Sequence, residues 1–286
     1  MKKILITGAT GFIGSYFIDK YKATYDIETF SFLTDNIENL DLSSVDVIIH
    51  LSALVHQMGG ATYSEYENIN VTQTLELAQK AKKNGVGHFI FMSTVKVYGE
   101  ETDFPYSEKS ICLPIDDYGK SKLKAELELK NLHNNSFKLS IIRTPIVYGI
   151  GVKANIKNLI GLIKNINILP FKGIKNRRSM VYIGNLSHLI DEIIIKNKDG
   201  IFLASDDESL STSQFIKLIA KTLDKKIYLI KIPFFEYLLK LIKPSFYKRL
   251  YQSLAVDNTQ TKKELNYNNL YSVEEGIRFM INGEDK

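Results

Sequence analysis

Tyr118 and Lys122 stand four residues apart in the run Tyr118-Gly119-Lys120-Ser121-Lys122. At the start of a helix that spacing puts a phenol and an ammonium on one face, one turn apart. A free tyrosine loses its proton only near about pH 10, and a neighbouring cation favours the phenolate. The pair is thereby able to exchange a proton with a substrate hydroxyl nearer neutrality, and the lysine can also hold a ribose. Upstream, Ser93-Thr94 closes the apolar run Phe89 to Met92, where a hydroxyl could bond the same substrate oxygen. A Tyr-Lys pair alone is common on helices; the three elements in this order are not. Together they describe hydride and proton movement at an alcohol or ketone carbon.

A second constellation supplies the place for a dinucleotide. Thr7-Gly8-Ala9-Thr10-Gly11-Phe12-Ile13-Gly14 follows an apolar strand and opens a helix. Glycines at these three positions allow a tight turn, a close approach to a pyrophosphate and close packing of helix on sheet, while the helix N-terminus offers N–H groups to the phosphates. Gly8, Thr10, Gly11, Phe12, Ile13 and Gly14 are the candidate contacts. In the usual fingerprint an acidic residue about twenty positions on reads the ribose of NAD. Ser31 and Phe32 occupy that region, so nothing repels a 2′-phosphate and no arginine binds one. The choice between NAD and NADP stays open, with a slight lean to NADP. Asp41-Leu42 either caps the adenine amino group or forms an ordinary turn.

These residues need elements to carry them. Lys3 to Thr7, Asp26 to Phe32, Val45 to Leu51, His88 to Met92 and Leu139 to Arg143 read as buried strands, separated by amphipathic helices such as Asn70 to Asn84 and Asp117 to Asn131. The alternation predicts an α/β fold, a doubly wound parallel-sheet Rossmann domain with a smaller, mostly helical C-terminal substrate lobe. Val181 to Ile183 and Ile201 to Ala204 are late strands able to return to the same sheet. The expected division is 1–148 plus 178–204 for the dinucleotide-binding domain and 149–177 plus 205–286 for the substrate lobe. No repeat, low-complexity tract or Pro/Gly-rich linker interrupts the chain.

Composition bounds the function without naming it. With 286 residues, 44% hydrophobic and 24% charged, the chain is long enough for a substantial core. Cys112 is the single cysteine, so no intramolecular disulfide forms, and no Cys/His cluster has metal-ligand spacing; a reducing cytoplasm fits best. The apolar start is broken by Gly8, Thr10 and Gly11, too early for a signal core or a membrane span. A net charge of +5, spread among acids, suits an anionic small molecule, and no nucleic-acid-binding signature is present. Ile227 to Leu254 is basic and amphipathic, a pattern that can lie on a bilayer. Pro233 and Pro244 confine its helix to about ten residues, and a core helix of the small lobe is the reading preferred here.

The sequence resembles the extended short-chain dehydrogenases/reductases, specifically the NAD-dependent epimerase/dehydratase group acting on nucleotide sugars, over nearly its whole length. The resemblance rests on the Thr7 to Gly14 loop, His50-Leu51-Ser52-Ala53, Asn70-Val71, Ser93-Thr94 with Val97-Tyr98-Gly99, and Tyr118 to Lys122. Farther on it rests on Arg143 to Gly149, Arg178 to Ile183, Leu265 and Val273-Glu274-Glu275-Gly276. It implies Thr94, Tyr118 and Lys122 as the catalytic triad, with Leu51, Ser52, Ala53 and Pro145 beside the cofactor. Arg178 would hold the substrate diphosphate, unless its neighbour Arg177 does. Asn155 would lie near the nucleotide or cap a helix, and Ser93 and His56 complete the substrate set. It implies a nucleotide-sugar substrate, UDP-linked, and leaves open a homodimer.

Departures from the group's pattern narrow the reaction. The dehydratase branch carries Asp-Glu after the catalytic threonine, whereas Val95-Lys96 follow Thr94. The 4-epimerase branch commonly has an asparagine between the Arg143 region and Gly149, where this chain reads Arg143-Thr144-Pro145-Ile146-Val147-Tyr148-Gly149. The run Pro145 to Asn155, with Asn176-Arg177-Arg178-Ser179, is similar to bacterial C4-ketoreductases of UDP-4-keto-6-deoxy-N-acetylhexosamines, which supply sugars for surface polysaccharide. That reduction is the expected reaction and UDP-hexose or UDP-N-acetylhexosamine 4-epimerisation the alternative. A non-catalytic NAD(P)-binding sensor on this fold would have no need of Thr94, Tyr118 and Lys122 together.

Overall fold

Apolar runs without polar alternation are stable only where both faces are covered, and this chain covers them with helices. A computed structural model describes residues 1–55 and 60–283. Its strands are β1 (Lys3–Thr7), β2 (Asp26–Phe30), β3 (Val47–His50), β4 (His88–Thr94), β5 (Lys138–Thr144), β6 (Ile146–Tyr148), β7 (Ile168–Leu169), β8 (Met180–Tyr182), β9 (Gly200–Leu203) and β10 (Tyr228–Leu229). The α-helices are α1 (Phe12–Tyr21), α2 (Tyr63–Glu67), α3 (Gln73–Lys83), α4 (Asp117–Leu132), α5 (Ala154–Asn165) and α6 (Ile183–Lys196). They continue with α7 (Thr212–Thr222), α8 (Phe235–Ile242), α9 (Pro244–Tyr251), α10 (Thr259–Leu265) and α11 (Val273–Asn282).

Six strands form one parallel sheet in the order β2-β1-β3-β4-β5-β9, the doubly wound α/β arrangement that the alternation predicts. Because side chains alternate across a strand, Ile4, Ile6, Ile49 and Ile90 meet α1 and α6 on one face. Leu5, Ile48, Phe89 and Phe91 meet α3 and α4 on the other. Each such burial contributes about 1.5–3 kcal/mol, which fixes the register strongly. The strand order reverses between β1 and β3, and ligands of open α/β sheets bind in the crevice at that point.

Three expectations are corrected. The second strand stops at Phe30, since Ser31 turns: its N–H donates to the Asp35 carboxylate at 2.8 Å and its carbonyl accepts from Thr34 and Asp35. The Val181 to Ile183 segment does not return to the main sheet. As β8 it pairs with β6 in a separate two-stranded sheet, because β9 already fills the place beside β5 and α6 begins at Ile183.

The third concerns Ile227 to Leu254. The C-terminal lobe has its own core, with Tyr148, Ile163, Tyr182, Ile216, Ile219 and Ile277 at its centre. The helix expected in that core is not there: neither α8 nor α9 has a buried residue, and only Phe235, Leu250 and Tyr251 pack partway against it. Two eight-residue helices split by Pro244 are too short to turn one continuous stripe inward.

Candidate active site

Thr94 ends β4, and its hydroxyl is near enough to the Tyr118 phenol, in the first turn of α4, to lower that phenol's pKa. That turn is fixed at its start. Asp116 is the N-cap, accepting from the Gly119 N–H at 2.8 Å, and its other oxygen takes the Lys96 ammonium. A Cβ on Gly119 would lie 2.9 Å from the Lys96 carbonyl oxygen, so only glycine lets α4 come this near. Lys122 follows one turn later, 1% exposed, its Nζ 3.8 Å from the Phe91 ring centroid.

The electrostatics differ from the expected phenol-ammonium coupling. Burial lowers Lys122 to about 7, although Glu126 opposes that shift. Burial and the Asp116 charge push the Tyr118 phenol up, and only the nearby Thr94 hydroxyl works the other way. The lysine lies over the Phe91 ring and is not among the groups that shift the Tyr118 phenol, so it does not make Tyr118 acidic. In this arrangement Tyr118 is a neutral donor.

Ser93, expected in the substrate set, points elsewhere. Adjacent strand residues face opposite ways. The Ser93 hydroxyl is buried and donates to Glu126 Oε1 at 2.5 Å. Glu126, on the same face of α4 as Tyr118 and Lys122, also takes the Arg143 guanidinium through two hydrogen bonds, at 2.5 and 3.1 Å. Nothing in the local sequence reveals this buried pairing.

The dinucleotide loop has the expected form. Gly8 has φ +70°, and a Cβ there would lie 2.8 Å from the Ser52 nitrogen; one on Gly14 would lie 2.4 Å from the Gly8 carbonyl oxygen. Gly11 starts α1 with no side-chain cap and no acid in the first turn, so its N–H groups are left for an anion. Thr10 and Gly11 are exposed, with Phe12 and Ile13 half-buried behind them. These residues fit a dinucleotide pyrophosphate.

Leu51, Ser52 and Ala53 run alongside: Leu51 N–H donates to the Thr7 carbonyl at 3.2 Å and Ser52 N–H to the Thr7 hydroxyl at 3.3 Å. Asn70, in a π-helical turn over Asn68–Thr72, clamps the continuation of this loop. It accepts from Leu54 N–H at 2.8 Å and donates to the Leu54 carbonyl and the Ser121 hydroxyl, both at 3.0 Å. The loop after β3 and helix α4 are thus held by one side chain.

Pro145 is half-buried just after β5, whose last residue Thr144 pairs with Thr94. Asp41 takes the turn role weighed for it, accepting from Ser43 N–H at 2.9 Å, and stays exposed; Leu42 is fully buried, so its backbone alone is left for contact. Asp35, unremarked in the sequence, returns a carboxylate to the end of β2. Its hydrogen bond to Ser31 forms only once the 31–35 turn closes.

On the lobe side, Arg178 and not Arg177 is enclosed. Arg178 Nη1 donates to the Gln252 carbonyl at 3.1 Å, whereas Arg177 is exposed and donates to the Asp103 carbonyl at 3.0 Å. Burial and the nearby Arg249 charge lower Arg178 below its ordinary value. Arg249 Nη1 donates to Asn155 Oδ1 at 3.1 Å. Asn155 therefore does not cap α5, whose N-cap is Lys153. Among the described residues neither Arg178 nor Arg249 forms a salt bridge, so this side of the lobe carries a positive field of the kind that suits an anion. Sequence reading missed Arg249, because α9 reaches Arg178 only through the tertiary fold. His56 lies outside the described residues.

Residues 4–202 match the family model described as the NAD dependent epimerase/dehydratase family. The chain is 34% identical over 307 residues to a UDP-glucose 4-epimerase of Vibrio cholerae, covering 97% of this chain and 94% of that one. It is 27% identical over 251 residues to an N-acetyl-alpha-D-glucosaminyl-diphospho-ditrans,octacis-undecaprenol 4-epimerase of Escherichia coli O157:H7, covering 81% and 75%. Among solved structures, UDP-glucuronic acid 4-epimerase from Bacillus cereus in complex with NAD superposes with a TM-score of 0.77 at 21% identity, over 98% of this chain and 97% of that chain.

Proposed function

This chain belongs to the NAD-dependent epimerase/dehydratase family, and we propose that it inverts C4 of a UDP-linked hexose or N-acetylhexosamine by way of the 4-keto sugar. The observation that carries this reading is the Thr94 hydroxyl at the end of β4 beside the Tyr118 phenol, with Lys122 buried one turn farther along α4.

The pyrophosphate would be held by the Thr10–Gly14 end of α1 and the backbone of Leu51 to Ala53. Bound there, a nicotinamide supplies reversible hydride exchange at the sugar carbon. In the oxidising half the C4 hydroxyl proton leaves through Tyr118 only as the phenol passes its own proton on, and in the reducing half Tyr118 returns a proton to that oxygen, which Thr94 positions. Lys122, lowered to about 7, can relay a proton near neutrality as well as bind ribose. Asp35 supplies a carboxylate at the end of β2, where ribose hydroxyls are read in this fold, and a 2′-phosphate would be repelled there. NAD is therefore the cofactor proposed, in place of the lean to NADP that Ser31 and Phe32 suggested. Arg178 and Arg249 would take the diphosphate, the group shared by a nucleotide sugar and the lipid-linked sugar named for the E. coli relative.

A second reading, C4 reduction of a UDP-4-keto-6-deoxy-N-acetylhexosamine, is favoured by the run Arg143 to Gly149, which lacks the asparagine common in the epimerases. Lys96 counts against dehydration, since the position a carboxylate would need holds a cation tied to Asp116. Purified protein incubated with UDP-glucose, UDP-galactose and their N-acetyl forms should interconvert epimers without net cofactor consumption. Stoichiometric oxidation of NAD(P)H by the 4-keto sugar, with no epimer formed, would establish the reductase instead. Tight cofactor binding with neither reaction would leave a sensor.

A further inference from the structure

Separate from the catalytic centre, α8 turns its apolar side out. Tyr237, Leu238, Leu241 and Ile242 recur at i, i+1, i+4 and i+5 and are exposed, Leu241 by 63% and Ile242 by 65%. Phe235, two residues before Tyr237, packs inward on the lobe core, which leaves these side chains on the outer side of α8. Phe234, just before the helix, is 85% exposed with φ 61°, a left-handed conformation that aromatic residues rarely adopt. Phe246 on α9 is exposed as well.

Basic side chains predominate around this surface, with Glu236, Glu100 and Glu101 at its α9 side. Lys231, Lys240 and Lys243 are exposed and form no salt bridge among the described residues, and Lys248 is paired with Glu100 at 3.0 Å. Glu236, the one acid between residues 226 and 249, is within 3.3 Å of the Tyr247 hydroxyl. The C-terminal end of α9 is tied to the lobe: the Thr212 hydroxyl donates to the Leu250 carbonyl at 2.7 Å and Asn176 donates to that of Gln252 at 3.2 Å.

We propose that the α8–α9 face docks on the surface of an anionic lipid bilayer. Its aromatic and aliphatic side chains would enter the headgroup and acyl boundary while its lysines meet acidic headgroups, two signals that reinforce each other. No helix among the described residues is long and apolar enough to cross a membrane, so the contact is peripheral. Charge complementarity selects this occupant: a lysine-rimmed apolar surface repels its own copy. The face and the guanidinium pair are joined by α9, one end of which is Pro244 and the other of which carries Arg249.

Sedimentation of the full chain, without substrate, with vesicles of phosphatidylcholine alone or with a third phosphatidylglycerol tests this. Binding to the anionic vesicles only is expected, weakening as salt rises. The variants Phe234→Ser/Leu241→Ser and Lys240→Glu/Lys243→Glu should each lower the partition coefficient at least about tenfold. Their far-UV spectrum and turnover of soluble UDP-sugar should be unchanged. Protein that stays in the supernatant with both vesicle types overturns the proposal, as does equal binding by the charge-reversed variant. So does a dimer in analytical ultracentrifugation that Phe234→Ser/Leu241→Ser dissociates. The readout needs no turnover, so the result is independent of the reaction assigned above.

Discussion

Glu126 and Arg143 form a bidentate ion pair inside the protein, with 0% and 2% of their side chains exposed. The pair links α4 to β5, and Ser93 links the same carboxylate to β4. Because Glu126 is on the face of α4 that carries Tyr118 and Lys122, it anchors the helix that must present both. Removing one partner leaves a charge buried without compensation. Glu126→Gln should therefore destabilise the fold by about 3–5 kcal/mol, measured by urea unfolding, and Glu126→Met/Arg143→Met should recover part of that loss. Stability unchanged in the single variant would show that the pair does not hold α4.

Lys122 makes stability depend on pH in a defined direction. Its folded value of about 7 lies below its ordinary 10.5, so between these the unfolded chain binds more protons and stability rises with pH. The cost of the buried ammonium is full below about pH 7 and relieved as the pH climbs toward 10.5. Lys122→Met should melt at least about 2 °C above the parent at pH 6, the difference fading toward pH 10, while turnover is lost. A variant that melts lower at pH 6 would contradict this.

Arg178 and Arg249 should bind a diphosphate together. Arg178→Ala or Arg249→Ala is expected to weaken UDP by about 10–100-fold in calorimetry, more at low salt than at high. Arg177→Ala, on an exposed guanidinium, should change it by less than about threefold. An equal effect at all three would mean a diffuse field and no specific pair.

Asp35 should govern the choice of dinucleotide. Asparagine can still accept the Ser31 N–H, so Asp35→Asn should leave the melting temperature in place. With the carboxylate gone, the preference for NAD over NADP should fall by about tenfold, read from the two dissociation constants. A parent protein that already binds NADP more tightly would remove Asp35 from this role.

Local spacing was enough for the dinucleotide loop, for the parallel sheet and for Tyr118 and Lys122 on one helix face. Each of these depends on neighbours within a few residues, where the periods of strand and helix decide direction. Ser93 shows the limit: its adjacency to Thr94 suggested a shared task, and the strand period sent it to Glu126. The Lys122 environment also depends on distance, since Phe91 on β4 receives the ammonium that spacing alone would pair with the phenol.

What the sequence determined by itself was therefore the kind of chemistry and the frame that bears it. Tertiary packing decided the rest: that Arg249 reaches Arg178, that Asn70 clasps both the loop after β3 and α4, that Asp35 curls to the end of β2, and that α8 faces outward. Those outcomes join residues far apart in the chain or hang on which surface a short helix finds already filled. Only the packed sheet and lobe set those distances, and burial then set the charges.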